Sequence, residues 1–244
     1  MQPYLFPYVG YFQLIKHSDV FISYEYVQFM KRSWITRNRI LDKGKGEPIY
    51  ISIPVRKQSP NKLIYDVLID EQKDWRSELL NLVYYNYKKA KYFEEMYAFI
   101  KEILSFESEK IYKLNTHLIT SICSKLNISS SKIIDANEFG PEIESNILDE
   151  IESASVDLKT LRIIKMCKYF GADSYLNPVG GSAIYHLNDF KKHDINLIFQ
   201  KINDHSYNQF NGSFEKRLSI VDALMHVGFS GVNSMISKPD FVDD

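Results

Sequence analysis

The sequence predicts an α/β fold, a Rossmann-like mixed or parallel sheet with a helical insertion in the middle of the chain. Three observations carry that expectation. The first 40 residues read as strand end, glycine, short helix and strand. Residues 73–127 hold apolar side chains at helical spacing alone. Residues 157–235 return to mixed helix and strand patterns. With 244 residues and 45% hydrophobic content the chain is ample for one large domain, so a single domain is expected over 1–244, with α/β parts at about 1–72 and 157–235.

Taken in order, Pro3 and Pro7 fix φ and turn the residues before them away from helix, so Gln2–Tyr8 should be an extended strand end or a rigid loop. Gly10 permits a turn or a close backbone approach to a ligand, and Tyr11, Leu14 and Ile15 set helical spacing up to His17. Val20, Ile22, Tyr24 and Tyr26 then alternate with Phe21, Ser23 and Glu25, which suits a strand. Loops at the strand carboxyl ends and helix amino ends of such units commonly hold ligands. An aromatic-rich core with a proline-rich lead-in uses the same letters. Lys43–Pro48 reads as a turn and Ile49–Val55 as a strand ended by Pro54; a hairpin is one option, with Arg37 and Arg39 on its first arm. Arg56–Lys62 is a polar loop that either holds phosphate or is solvated, and the lack of a glycine-rich cradle favours solvation.

From Trp75 to Leu126 the period is helical, first through Leu79, Leu82, Val83, Phe93, Met96, Ile100, Ile103 and Leu104, then through Ile111, Leu114, Leu118 and Ile122. Tyr84, Tyr85 and Tyr87 beside Lys88, Lys89 and Lys91 are either a core face plus a solvated face, or a stacking surface whose lysines meet phosphate. Asn115 in mid-helix is costly without a partner, so it reads as a substrate contact or a satisfied buried amide. Residues 129–156 are the least regular, with Ile133 and Ile134 as a short β-like run and Glu142 and Glu144 as solvent residues near a helix start. Asp157 opens a further helix that Gly171 stops.

Tyr175–Tyr185 is a second dense block. Gly180-Gly181 frees a loop to bring backbone N–H groups to an anion, Ser182 can add a hydroxyl, and a following helix would turn its positive end on the ligand; a plain turn uses the same letters. Leu197–Gln200 is a strand. Ser219 caps a helix over Leu218–Val227, with Asp222 completing a capping box and Gly228 closing it, which discounts Asp222 as a catalyst.

A formal net charge of −1 leaves no electrostatic footprint for nucleic acid, so no such partner is expected. There is no apolar run of about eighteen residues and no basic-then-apolar leader, so a membrane span is not expected and the cytoplasm is. Cys123 and Cys167 lie in apolar helical patterns and match no metal template, so reduced core cysteines and no metal are expected. His17, His117, His186, His193, His205 and His226 form no metalloprotease arrangement, and neither a nucleophile elbow nor a dinucleotide-binding glycine motif is present. Amides, arginines, tyrosines and one acid remain. Guanidinium forks recognise phosphate or carboxylate, while Gln and Asn read sugar hydroxyls.

Gln2-Pro3, Pro7-Tyr8-Val9-Gly10-Tyr11-Phe12, Glu25 ahead of Val27-Gln28-Phe29, and Trp34 followed by Arg37-Asn38-Arg39-Ile40 are joined by later blocks at Tyr87–Phe93, Tyr175–Gly181, Tyr207–Gln209 and Leu218–Met225. Together these blocks resemble the WbqC-like family, which is associated with bacterial cell-surface polysaccharide biosynthesis. The resemblance implies a transferase or amide-forming ligase of O-antigen-type lipopolysaccharide precursors, moving an acyl or aminoacyl group such as glycine onto a nucleotide-linked amino sugar. ATP is the candidate cofactor. On this reading Arg37 and Arg39 meet phosphate or carboxylate, Gln2, Gln28 and Asn38 orient the substrate, Gly10, Gly180 and Gly181 admit it to the backbone, and Tyr8 and Tyr11 contact nucleotide or sugar. Lys31, Asn177 and Tyr185 complete the binding set. Glu25 and Tyr11 are the catalytic pair, Glu25 as general base for the attacking amine. The terminal segment and the diglycine loop are expected to line one pocket.

Two departures bear on this. Family members usually carry a short strand before the Gln-Pro, whereas this sequence begins at Met1, and two adjacent aspartates of the family are here Glu25 and Tyr26. A more distant likeness is to α/β nucleotidyltransferases and amide-forming ligases with His-x-Gly-His, both histidines being replaced by Tyr8 and Tyr11. Phenols hydrogen-bond phosphate but do not become cations near pH 7. The alternative is a non-catalytic nucleotide-sugar or glycan-binding protein of a biosynthetic assembly.

Overall fold

Helices and small sheets alternate along the chain, an α/β mixture. The structure, a computed structural model, describes residues 1–57, 61–129, 132–137, 139–150, 156–201, 206–210, 213–238 and 240–242. Gln58–Pro60 of the polar loop, residues 130, 131, 138 and 151–155 of the irregular stretch, and His205 lie outside the described residues. In order, the elements are α1 (Val9–His17), β1 (Phe21–Ser23), β2 (Arg37–Leu41), β3 (Pro48–Ser52), α2 (Trp75–Tyr87), α3 (Phe93–Leu104), α4 (Ile111–Lys125), β4 (Ile133–Asp135), α5 (Gly140–Glu150), α6 (Leu158–Tyr169), β5 (Ser174–Pro178), α7 (Leu187–Lys191), β6 (Asn196–Lys201), α8 (Ile220–Ile236) and β7 (Asp240–Val242). Among the described residues the strands form three small sheets: β1 with β4, β2 with β3, and β5–β6–β7. The chain divides into two compact units, residues 1–134 with 204–238 and residues 135–203 with 239–244.

In the first unit α1 follows the Pro7-Tyr8 lead-in and ends with Lys16 and His17, cations suited to a helix carboxyl end. It is held to α8 and the residues after it: Gln13 Nε2 donates to the Lys238 carbonyl (2.9 Å) and Lys16 Nζ to Asn233 Oδ1 (2.7 Å). Gly10 lies not in a connecting loop but inside helix α1, where it is buried one residue past the start. β1 is shorter than the alternation over 20–26 implied.

The expected hairpin forms, with Arg37 opposite Ser52 and Arg39 opposite Tyr50. Side chains two apart in a strand share a face. Asn38, Ile40 and Ile51 therefore turn inward, at 3%, 0% and 0% exposure. Asn38 Nδ2 donates to the carbonyls of Leu5 (2.8 Å) and Phe6 (2.7 Å), and Ser219 Oγ also donates to Phe6 (3.0 Å). Phe6 needs this support because its φ of 41° is costly for an aromatic residue. Asn38→Ala is expected to cost about 2–3 kcal/mol in urea unfolding, since it leaves buried carbonyls short of donors; a loss under about 0.5 kcal/mol, the scale of an ordinary surface substitution, would show that the clamp is dispensable.

Helices α2–α4 appear where the period placed them. α2 is capped by Asp74, which accepts from Ser77 N, and it buries Trp75, Leu79, Val83 and Tyr87, every fourth residue. Leu82, expected in the core, is 37% exposed. Of the Tyr-Lys run, Tyr84 and Tyr85 are exposed whereas Tyr87 is fully buried. Asn115 is the buried amide: Nδ2 donates to the carbonyls of Pro3 (3.2 Å) and Ile35 (2.9 Å), fastening the terminal segment to α4. α8 starts at its Ser219 cap but does not stop at Gly228. There φ is 66°, and a side chain would meet the Tyr92 ring at 2.9 Å, so glycine admits the ring and the helix resumes beyond the kink.

In the second unit Asp157 caps α6 by accepting from Lys159 N (2.8 Å) and Thr160 N (3.2 Å); burial pulls its carboxyl up, but the Thr160 hydroxyl (Oγ1–Oδ2 2.8 Å) and these backbone donors together hold it below the usual range. β5 and β6 are parallel, β7 is antiparallel to β6, and Ile164, Cys167, Phe190, Ile195, Leu197 and Phe199 form a core. Glu144 is not a plain solvent residue, because Arg162 forks onto it (Nε–Oε1 2.5 Å, Nη2–Oε2 2.8 Å). The cysteines are free and buried; burial pushes the Cys123 thiol up to about 12 and that of Cys167 to about 11, leaving little thiolate near neutrality.

Candidate functional site

The outer face of the β2–β3 hairpin carries Arg37, Arg39, Tyr50 and Ser52, an outcome of strand alternation and register. Trp34, just before β2, adds a second ring with its centroid 6.4 Å from that of Tyr50, the planes 30° apart. The Arg37 guanidinium carbon lies 4.5 Å above the Tyr50 ring and that of Arg39 lies 5.8 Å from the Trp34 ring. Both rings are open to solvent, Trp34 at 47% and Tyr50 at 50% exposure. Arg39 has a loose partner in Glu215 (Nη1–Oε1 3.7 Å), while Arg37 has no ion pair among the described residues. The Nε of each arginine is buried without a hydrogen-bond partner. Unpaired buried donors cost stability, so each guanidinium is left with an unmet hydrogen-bonding demand at this face. Two aromatic faces and two guanidinium forks can together stack a base or sugar and hold phosphate or carboxylate.

Within the same unit a buried network stands against this hairpin. Tyr87 OH accepts from Leu41 N (2.9 Å), at the end of β2, and donates to Asp222 Oδ1 (2.6 Å). Asp222 Oδ2 accepts from Tyr207 OH (2.6 Å) and Gln209 Nε2 (2.8 Å). Gln209 also receives Glu215 N (2.7 Å) and donates to the Glu215 carbonyl (3.2 Å), so the network fixes the backbone of the acid that faces Arg39. Burial, reinforced by the neighbouring Asp222 carboxylate, holds the Tyr87 and Tyr207 phenols far above their ordinary range and therefore neutral donors. Burial lowers His226, whose Nε2 lies 3.8 Å from Asp222 Oδ1, and the carboxylate opposes part of that shift.

Asp222 thus corrects the sequence reading. It completes no capping box; its carboxylate is 0% exposed and gathers donors from α2 and from residues 207–209. Glu215 was missed as well. The one available signal was the Tyr207-Asn208-Gln209 block, which carries two of the donors.

The other expected site residues fall into distinct places. Gln2 is exposed, and its carbonyl accepts from Tyr11 OH (3.1 Å). Tyr11 is 1% exposed among Tyr4, Phe12 and Phe21, and burial raises its phenol well above the ordinary range. Glu25 is 0% exposed. The chemistry assigned to Glu25 and Tyr11 therefore requires a substrate that enters the interior. Tyr8 is half-buried and precedes α1; Gln28 and Lys31 are exposed, Gln28 Nε2 donating to Asn61 Oδ1 (2.8 Å). Asn38 supports the terminal segment from within rather than facing outward.

Asn177, Gly180, Gly181 and Tyr185 belong to the second unit. The diglycine lies in a short 3-10 turn, Val179–Gly181, and α7 begins only at Leu187. A side chain at Gly181 would strike the Asn177 amide at 2.5 Å, whereas one at Gly180 would meet open space. Gly181 is thus explained by close packing within its own unit. Among the described residues no group of three or more His, Cys, Asp or Glu side chains is arranged to hold a metal ion. No helix of the described residues is long and apolar enough to cross a membrane.

A family model described as the WbqC-like protein family matches residues 2–234. A protein of Mycobacterium tuberculosis (strain H37Rv) described as "Uncharacterized protein Rv1507c" is 31% identical over 225 residues, covering 91% of this chain and 90% of that protein. No solved structure matches the chain.

Proposed function

Because the chain belongs to the WbqC-like protein family, we propose that it transfers an acyl or aminoacyl group, such as glycine, to a nucleotide-linked amino sugar in the making of O-antigen-type polysaccharide precursors. Family membership by itself suggests the coarser part, a role in polysaccharide-related biosynthesis. The observation that supports the finer reading is the Arg37–Tyr50 and Arg39–Trp34 face, in which open rings adjoin guanidinium groups with unpaired buried donors. Phosphate would sit on the forks and the sugar or base on the rings. In the transfer the sugar ammonium first gives one proton to water; the resulting amine nitrogen attacks the acyl carbonyl carbon, the C–N bond forms, the C–O bond to a phosphate leaving group breaks, and the nitrogen's second proton passes to the departing phosphate. An acyl phosphate or acyl adenylate is the donor, so ATP is the proposed co-reactant and the cytoplasm the proposed location. The parallel β5–α7–β6 crossover is the part of the second unit that supports a Rossmann-like reading.

A second reading, a nucleotide-sugar-binding protein without turnover, is favoured by the enclosure of Glu25 and Tyr11. One experiment separates the two. The chain has 2 tryptophans, and Trp75 is 1% exposed, so ligand-dependent fluorescence reports chiefly on Trp34. Titration with amino-sugar nucleotides should give saturable quenching that Trp34→Phe removes, and addition of amino acids and ATP should then give a product heavier by the acyl group. Quenching without product across the donors would favour the binding protein. No quenching at all would sink both readings.

A further inference from the structure

We infer that Glu215 selects an amine on the sugar held at the β2–β3 face, its carboxylate receiving the ammonium beside Trp34. This rests on the reading of that face as a sugar-phosphate site. Glu215 borders the face through Arg39, whose guanidinium carbon is 5.8 Å from the Trp34 ring, and its side chain is 37% exposed.

As a mere counter-ion Glu215 is poorly placed. A carboxylate that serves an arginine usually takes its fork through two short parallel hydrogen bonds. Here the nearest approach is 3.7 Å, beyond hydrogen-bond reach, and Arg39 Nε is left buried and unpaired. An exposed pair of this kind contributes little to stability. Yet the backbone of Glu215 is fixed with care: the Gln209 side chain bonds both its N–H and its carbonyl, and the same Gln209 is anchored on the fully buried Asp222. A rigid frame that ends in an open carboxylate is the construction expected of a recognition residue, which must keep its geometry before the ligand arrives.

The charge pattern names the ligand. Phosphate alone would be served by an all-cationic face, and an acid at its edge would only weaken the attraction. A ligand with phosphate at one end and an ammonium at the other satisfies all three groups, phosphate on Arg37 and Arg39 and ammonium on Glu215, with the Trp34 ring adding a cation–π contact. A sugar hydroxyl in place of the amine would leave the carboxylate with a neutral and weaker partner.

Glucosamine 1-phosphate and glucose 1-phosphate test this without regard to the base, since they differ only in amine for hydroxyl. By Trp34 fluorescence near neutral pH the wild type should bind the amino ligand about tenfold more tightly. Glu215→Gln, which keeps the backbone bonds to Gln209, should bring the two to within about twofold by weakening the amino ligand alone. Equal binding of the two ligands by the wild type, or a Glu215→Gln change that moves both alike, would overturn the inference and return Glu215 to the role of partner for Arg39. Arg37→Ala should weaken both ligands together. If neither sugar phosphate binds the wild type, the face is no sugar-phosphate site and the underlying reading falls as well.

Discussion

Arg37→Ala is expected to weaken nucleotide-sugar binding, and any transfer that depends on it, by about a hundredfold, the equivalent of one strong charge-assisted hydrogen bond. The melting temperature should move by no more than about 2 °C, as for an ordinary surface substitution in a chain of this size. The asymmetry follows from what Arg37 does in the folded chain. Its guanidinium lies over the half-exposed Tyr50 ring, takes no carboxylate partner among the described residues, and leaves Nε buried and unpaired. Removing it forfeits a stacking contact and relieves an unsatisfied donor, two small terms of opposite sign. Arg37→Lys should recover part of the binding, because the charge returns while the planar fork does not. Calorimetric titration and a thermal melt on the same samples decide the matter. A melting temperature lower by about 5 °C or more, with binding intact, would make Arg37 a structural residue.

Asp222→Leu should be the most damaging single change in the first unit, costing about 3–5 kcal/mol, the range seen when one partner of a buried charged network is removed. Three neutral donors, from the buried Tyr87 and Gln209 and the partly buried Tyr207, would lose this acceptor at once, around a carboxylate that is itself 0% exposed. For a chain of this length that loss corresponds to a melting temperature lower by roughly 10 °C. Asp222→Asn should cost less, since it keeps one oxygen acceptor but sets its own N–H₂ against donors. Urea unfolding with unchanged m-value is the measurement. A loss below about 1 kcal/mol for Asp222→Leu would mean that the phenols and the amide find other partners, and that the network does not fix the backbone of Glu215.

The hairpin shows what local pattern can reach. Strand, turn and strand letters placed Arg37 and Arg39 on its first arm, and pleating alone then brings them to one face. The helices over 75–125 and the buried free cysteines follow from period and composition in the same way. Trp34 and Tyr50 were visible as aromatics but not as neighbours of the two arginines, because strand register decides that. Asp222 shows the limit of local reading. Three residues after Ser219, at a helix start, it fits a cap, yet its partner Tyr87 stands 135 positions earlier. Gly228 is similar: it has the letters of a helix stop, but the Tyr92 ring packed against it makes it a kink.

Alternation, proline and glycine placement and helical spacing act over a few residues, and they were enough for the element types, the paired arginines of one strand and, with the block pattern, the family. Which side chains meet across long separations depends on how elements pack, and no local periodicity encodes it. The assembly of Asp222, Tyr87, Tyr207 and Gln209 behind Glu215, and the withdrawal of Glu25, Tyr11 and Asn38 into the interior, were settled by burial. A buried polar group must find partners wherever the folded chain offers them.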